Sequence, residues 1–463
     1  MGTESARIKW PFSRPIAGAS ALPLEAETTT TAAPATAPAA EACRPLRVLF
    51  LNRAYWPDVE ATGHLLGELC TDLALRGHRV SVIAGQPNFL ESRLPARQTH
   101  NGVEIIRVGN RRFQKASFAS RVIGLLSYVI LAAWAAVRHR RPNVLVVETD
   151  PPVLGLLGAA LKIWHRCPMV YYLQDLYPEV GLIMGRLRPG PVTWLLKWAT
   201  QIGLKSADRV VVLGEDMRRR VLARGIDASK IDTVPNWADA DEMRPLPPDE
   251  ALRKELGCDG RFVVMYAGNL GLSQSLDQTL VAADKLRHEP VQFIFIGDGA
   301  SKPRLQAFAQ DKQLAHVRFL PYHPKERMSA FFSVADVHLV TLQRRLAGCI
   351  VPSKLYGILA CGGAYIAAVD EDSEVTRITE QHRCGLRIEP DDADALVAAI
   401  RWCMEHREEL KTMGANGRRL AETELSRPNS VAGFERSLFR AASRAASRGG
   451  SARPVDGIAI ERN

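Results

Sequence analysis

Three stretches of this chain carry residues whose types and spacing suit work on a phosphorylated ligand. In Val351-Pro352-Ser353-Lys354-Leu355-Tyr356, proline stands at a helix start, followed by a hydroxyl and a cation. Free first-turn amides add to them to make a compact anion site. A cation is otherwise unfavourable at the positive end of a helix dipole. Lys354 there points to a bound diphosphate, the plain alternative being a solvated lysine on an exposed turn. The second stretch, Gly268-Asn269-Leu270-Gly271 with Gln274, follows the apolar run Phe262–Ala267. Strand, glycine turn and helix start are the parts of a phosphate cradle. The third, Gln174-Asp175-Leu176-Tyr177-Pro178-Glu179, follows the apolar run Met169–Leu173. Carboxylates just past a strand's carboxyl end sit where open α/β sheets bind ligands. Asp175 and Glu179 could orient or deprotonate an acceptor hydroxyl. Asp175 is the first choice because it follows the strand directly, helix capping being its bland alternative.

Two lesser candidates complete the set. Gly63 closes the loop Asn52–Gly63, where Ala61-Thr62-Gly63 is small enough for amides to approach a phosphate. Thr62 as a simple N-cap is the alternative reading. Glu374, in Asp372-Ser373-Glu374 after the apolar run 364–368, is placed to hydrogen-bond sugar hydroxyls, although Ser373 as N-cap explains part of the motif.

The elements that must hold these residues alternate along the chain. Strands are predicted at 47–52, 79–84, 103–107, 144–149, 169–173 and 209–213, then at 262–267, 291–296, 317–320, 336–341 and 364–368. Helices are predicted at 63–76, 119–138, 153–165, 189–206 and 215–225, then at 276–287, 301–313, 325–333, 353–361, 373–381 and 391–405. Short Val/Ile/Leu runs between helices argue for parallel sheets covered on both faces. Two strand–loop–helix openings, at Leu46 and at Phe262, imply two nucleotide-type α/β domains facing across a cleft, not one dinucleotide site. Asn236-Trp237-Ala238-Asp239 and the Pro-rich 245–248 read as the linker.

At 463 residues, two domains plus tails is the natural expectation. The net charge of +10 fits an anionic partner such as a sugar nucleotide or membrane phosphate. No motif favours nucleic acid. Eight cysteines form no CxxC pair and no zinc-like set, which implies reduced, packed thiols, no metal site and a cytoplasmic chain. No secretory h-region opens the chain. The segment 122–137 is apolar with basic ends but shorter than the about 20 residues of a spanning helix. It reads either as a buried helix covering the sheet or as one lying at a membrane surface.

Taken together, these motifs resemble the retaining glycosyltransferases of the GT-B fold, in the large family of sucrose synthases and bacterial mannosyltransferases. Within it, the chain is most similar to the colanic-acid and O-antigen glycosyltransferases. The likeness runs from about Leu46 to about Arg440. It rests on Tyr55-Trp56-Pro57-Asp58 with Ala61-Thr62-Gly63, on the Gln174–Glu179 motif, on Pro235-Asn236-Trp237-Ala238-Asp239, on Gly268–Gly271 with Gln274, and on Pro352–Tyr356.

The resemblance implies two Rossmann-like domains. An acceptor-side domain would span 46–240 and a nucleotide-sugar-binding domain 241–425. A helix at 426–440 would cross back to the first domain, while composition, rich in Ala, Thr and Pro at the start and in Arg, Ser and Gly at the end, marks 1–45 and 441–463 as disordered. It implies a nucleotide-sugar donor, with uridine the preferred base. The acceptor would be a polyprenyl-diphosphate-linked saccharide at the inner face of the plasma membrane. No metal or cofactor is needed, since the nucleotide-sugar is a substrate. Donor contacts would fall to Gly63, Gly268, Asn269, Gly271, Gln274, Ser353, Lys354 and Glu374.

The chain also departs from the family pattern. The family's Arg and Lys after the second glycine loop are replaced by Asn269 and Gln274, leaving Lys354 as the principal cation. The family's two glutamates, eight residues apart, fall on Cys349 and Gly357, and the first-domain histidine is Gln174. A nucleotide-sugar 2-epimerase of the same fold and a catalytically inactive sugar-nucleotide-binding partner therefore stay open at this point.

Overall fold

The computed structural model describes residues 44–58, 61–87, 93–109 and 118–448. The expected disorder of 1–45 falls almost wholly outside these residues, as do 449–463 and part of the first loop. In the first domain the strands are β1 (Arg47–Leu51), β2 (Arg79–Gly85), β3 (Arg97–His100), β4 (Val103–Val108), β5 (Val144–Val147), β6 (Met169–Tyr172), β7 (Arg209–Val212) and β8 (Ile231–Thr233). They lie in the order β3-β4-β2-β1-β5-β6-β7-β8, all parallel except the edge strand β3. Its helices are α1 (Ala61–Leu75), α2 (Phe118–Arg138), α3 (Leu154–His165), α4 (Glu179–Ile183), α5 (Pro191–Ser206) and α6 (Glu215–Ala223).

The second sheet is built from β9 (Phe262–Ala267), β10 (Val291–Ile296), β11 (Val317–Leu320), β12 (Val337–Thr341), β13 (Tyr365–Ala368) and β14 (Gly385–Ile388), ordered β11-β10-β9-β12-β13-β14 and wholly parallel. Around it lie α7 (Glu250–Glu255), α8 (Asp277–Lys285), α9 (Lys302–Asp311), α10 (Lys325–Val334), α11 (Lys354–Ala360), α12 (Glu374–His382), α13 (Ala393–Glu405) and α14 (Arg407–Glu422), and α15 (Arg427–Arg448) closes the described chain.

Side-chain alternation sorts the first domain's layers. Tyr171 lies under α3 and α5, where Cβ atoms built on Gly155 and Gly203 would fall 2.9 and 3.0 Å from its ring. Tyr172 points the other way, with its ring 5.0 Å from Phe434 of α15. Phe434 also stacks on Phe50 at 6.1 Å, so the last helix completes the core of the first domain. The tail expected to be disordered from Ala441 is instead helical as far as Arg448, and Ala441 itself is buried. The reason is an apolar stripe of Val431, Phe434, Leu438 and Ala441, whose three- and four-residue spacing lies on one helix face.

Both sheets reverse their strand order at one point. In the first, β1 is flanked by β2 and β5; in the second, β9 is flanked by β10 and β12. Crevices at the carboxyl ends of such strand pairs are where open α/β sheets take ligands.

Candidate functional site

At the second-domain switch point, β9 runs into Gly268 at φ +135. The loops after β9 and β10 are locked together: Gly268 N donates to Ile296 O at 2.9 Å and Leu270 N to Asp298 O at 2.8 Å. The fit depends on glycine, since a Cβ on Gly297 would sit 2.1 Å from Gly268 O. Over this loop lies Lys354, the first residue of α11, close enough that a Cβ on Gly268 would be 3.4 Å from its Cε. Its Nζ sits 3.6 Å from the centre of the Tyr266 ring, donates to Gln274 Oε1 at 2.9 Å and also reaches the Tyr266 hydroxyl. Every one of these partners is neutral. Burial pushes the Lys354 ammonium well below its usual range, although the ring face favours the charged form. An anion arriving over Gly268 would supply the missing countercharge.

Gln274 therefore positions the lysine. The side chain of Asn269 lies against the glycines, its Nδ2 2.8 Å from a Cβ built on Gly271. Ser353 makes no capping hydrogen bond.

At the first-domain switch point the loops after β1 and β5 are joined. Arg53 N donates to Asp150 O at 2.9 Å, and Arg53 Nη2 pairs with Asp150 Oδ2 at 2.9 Å. Gly63 lets the loop backbone lie on the first turn of α1, since a Cβ there would be 3.1 Å from Tyr55 N. Asp175 N donates to Thr149 Oγ1 at 3.2 Å, which sets the Asp175 loop beside the end of β5. Leu176 N then donates to Cys349 O at 2.8 Å, so the Asp175 loop touches the segment that leads to Lys354. Cys349, where the resemblance expects a carboxylate, offers its backbone carbonyl to the facing domain.

Two further expected residues are held by partners of their own. Glu179 opens α4, and its carboxylate is paired with Arg224. Glu374 is buried: it accepts from Glu215 N at 2.9 Å and is held by Arg377 Nε at 3.0 Å. A Cβ on Gly214 would lie 2.6 Å from Glu374 Cγ, so this carboxylate is a packing element of the seam between the domains. The sequence expectation placed a sugar contact here; in the structure this acid at a helix N-terminus is met by the Glu215 amide at the start of α6 and by its own i+3 arginine.

The sequence reading missed Glu148, one residue past β5. It is fully buried, and neither carboxyl oxygen has a hydrogen-bond partner. β1 and β5 pair Leu51 with Val147, which sets Glu148 beside Asn52. Asn52 Oδ1 and Gln174 Nε2 are likewise buried and unpartnered. Burial pushes the Glu148 carboxyl well above its ordinary range, and Asp150 and Asp175 push it further. A neutral acid thus lies under the floor of the first-domain switch point. The rule that singled out Asp175, a carboxylate just past a strand end, also fits Glu148-Thr149-Asp150.

Two α/β domains with their switch points brought together and a glycine-lined lysine cradle on one side make the GT-B glycosyltransferase architecture. The chain belongs to the group 1 glycosyltransferases: residues 62–237 match the family described as a glycosyl transferase 4-like domain, and residues 248–420 match glycosyl transferases group 1. It is 27% identical over 373 residues to WcaI of Escherichia coli (strain K12), a protein named as a colanic acid biosynthesis glycosyl transferase, with 77% of this chain and 91% of that one covered. It is 29% identical over 265 residues to the glycosyltransferase WbjE of Pseudomonas aeruginosa, covering 57% of this chain and 66% of that one. Among solved structures, the sucrose-phosphate synthase of Thermosynechococcus elongatus superposes with a TM-score of 0.71 at 17% identity, over 86% of this chain and all 100% of that one. Anabaena HepE, solved with UDP and glucose, superposes at 0.61 and 17% identity, over 88% of this chain and 100% of that one. At these identities the superpositions establish the fold.

Proposed function

We propose that this enzyme moves a sugar from a nucleotide-sugar donor, UDP-linked, to a lipid-linked saccharide in cell-surface polysaccharide synthesis, retaining the anomeric configuration without a metal. The observation that carries the reading is Lys354, a half-buried cation over a glycine loop with only neutral partners. Such a group is complementary to a diphosphate, and the charge that grows on the leaving diphosphate is what it stabilises. The name of WcaI supports the polysaccharide context, and the UDP in HepE supports the base.

In this reading the donor diphosphate lies between Gly63, Gly268–Gly271 and Ser353-Lys354. The acceptor hydroxyl approaches an oxocarbenium-like centre from the leaving-group face, and Asp175 takes its proton. Closure of the domains excludes water and suppresses hydrolysis. The acceptor is a polyprenyl-diphosphate-linked saccharide met at the inner face of the plasma membrane, with the enzyme associated peripherally.

The test is release of nucleoside diphosphate from a panel of UDP- and GDP-sugars, with and without membrane lipid extract. Acceptor-dependent release from one donor supports the reading and names the sugar. Donor interconversion without release, or binding without turnover, overturns it.

A further inference from the structure

Twelve of the seventeen strongly exposed large hydrophobic residues in the described chain lie on three helices, α2, α3 and α5. Such residues scattered singly are ordinary surface, whereas a contiguous group marks an interaction site. These helices are neighbours on one face of the first sheet. Trp164 Nε1 donates to Val137 O at 3.3 Å, which ties α3 to α2, and Lys162 Nζ donates to Ser206 O at 2.8 Å, which ties α3 to α5. Their inner sides bury Tyr128, Ala132, Leu161 and Leu204 against the sheet. Their outer sides present Ile130 and Trp134 from α2, Ile163 and Trp164 from α3, and Trp194 and Trp198 from α5. Half of the chain's eight tryptophans therefore stand on this one face.

Within the three helices the charge has a single sign. None of the three helices contains an Asp or Glu. Arg138, Arg140, Arg141, Arg166, Arg188 and Lys197 are exposed along and around it, and the Arg138 guanidinium lies 4.0 Å over the Trp134 ring. No helix among the described residues is long and apolar enough to cross a membrane. Amphipathic helices with tryptophan on one side and lysine or arginine at the margins lie in a lipid interface.

We propose that the outer faces of α2, α3 and α5 form one docking face for an anionic bilayer, with aromatic and aliphatic side chains entering the interface and the flanking arginines and lysines meeting lipid phosphates. A second copy of the chain is a poor occupant, because a symmetric pairing would press these acid-free helices and their flanking arginines against themselves. A lipid surface offers apolar depth and negative charge together. Such docking deepens the peripheral location proposed above but does not need turnover, and its test fails separately.

The experiment is co-flotation of the full-length protein with vesicles of phosphatidylglycerol and phosphatidylethanolamine, against vesicles of pure phosphatidylcholine. Binding to the anionic vesicles, at least about tenfold stronger than to the neutral ones and weakened by salt, is expected. The double variant Trp194→Ala/Trp198→Ala should lower partitioning by roughly tenfold through lost apolar burial. Arg140→Glu/Arg141→Glu should lower it similarly while keeping the wild-type melting temperature. Protein that stays unbound with anionic vesicles overturns the proposal. So does unchanged partitioning in both variants, or a stable dimer that protects Trp194 and Trp198 from quenching by acrylamide.

Discussion

Replacing Glu68 by Gln should loosen the joint between the two domains. Glu68 lies on α1, and its carboxylate accepts from Lys325 of the second domain at 3.0 Å and from Trp237 Nε1 of the linker at 2.7 Å. It lies 3.1 Å from His64 and 3.7 Å from Arg427, the first residue of α15, and its side chain is only 11% exposed. Burial alone would raise its pKa. The bond to His64 and the charges of Lys325 and Arg427 prevail and hold it at about 2, against an ordinary 4.5. At about 1.4 kcal/mol per tenfold change in proton affinity, that depression corresponds to an upper figure of ~3 kcal/mol. Solvent screening and the retained Trp237 bond reduce the expected cost of Glu68→Gln to about 1–3 kcal/mol at pH 7.

The sign is fixed by the direction of the shift. A depressed carboxyl stabilises the fold above its ordinary pKa and ceases to do so as pH falls from 4.5 toward about 2. The difference between wild type and Glu68→Gln should thus be full at pH 7 and shrink steadily below pH 4.5. Urea unfolding of both proteins across that range, followed by tryptophan fluorescence, measures it. A difference below about 0.5 kcal/mol at pH 7, within the scatter of ordinary surface substitutions, would refute the latch. So would a deficit that does not diminish with acid.

Lys354→Ala should lower turnover at least about tenfold through loss of a charge-assisted contact to the diphosphate, read as nucleoside diphosphate release; full activity would remove Lys354 from the mechanism. Because the Glu148 carboxyl is held neutral while the unfolded one ionises, wild-type stability should decline with rising pH in a way that Glu148→Gln escapes. The gap between the two in thermal unfolding should widen from pH 5 to pH 8, and a constant gap would contradict a neutral Glu148. Gly297→Ala should cost about 1–3 kcal/mol and weaken UDP binding, because its Cβ would meet Gly268 O at 2.1 Å with φ at +138; unchanged melting and binding would show that the two loops yield.

Most of the parallel strands were legible because they are short runs dominated by aliphatic and aromatic residues, as in Val144–Val147 and Val291–Ile296, whereas Ile231–Thr233, three residues with a central Asp232, was missed. The edge strand β3 was not, since Arg97-Gln98-Thr99-His100 is polar and becomes a strand only through its antiparallel pairing with β4. Gly385–Ile388 was missed because one glycine and one arginine dilute its four residues; Arg387 is buried by bonds to Val369 O and Glu389. Lys354 and the glycine loop were readable because both lie beside helix starts. The fates of Glu179 and Glu374 were not, since their partners Arg224 and Glu215 are 45 and 159 residues away. The proposed docking face shows the same limit: the segment 122–137 stands out in the sequence, but its union with Trp164 and Trp194 exists only after the helices pack.

The seat of Phe434 on Phe50 and Tyr172 has a consequence for how the protein is made. Synthesis delivers the first domain's sheet long before the helix that covers it. At roughly 5–20 residues per second, the wait for the second domain to be translated is on the order of 10 s or more. During that time the nascent sheet shows an apolar face to the cytosol, open to chaperones and to aggregation. A message cut short before α15 would yield a first domain that lacks part of its own core, so proteolytic disposal of truncated chains follows from the topology.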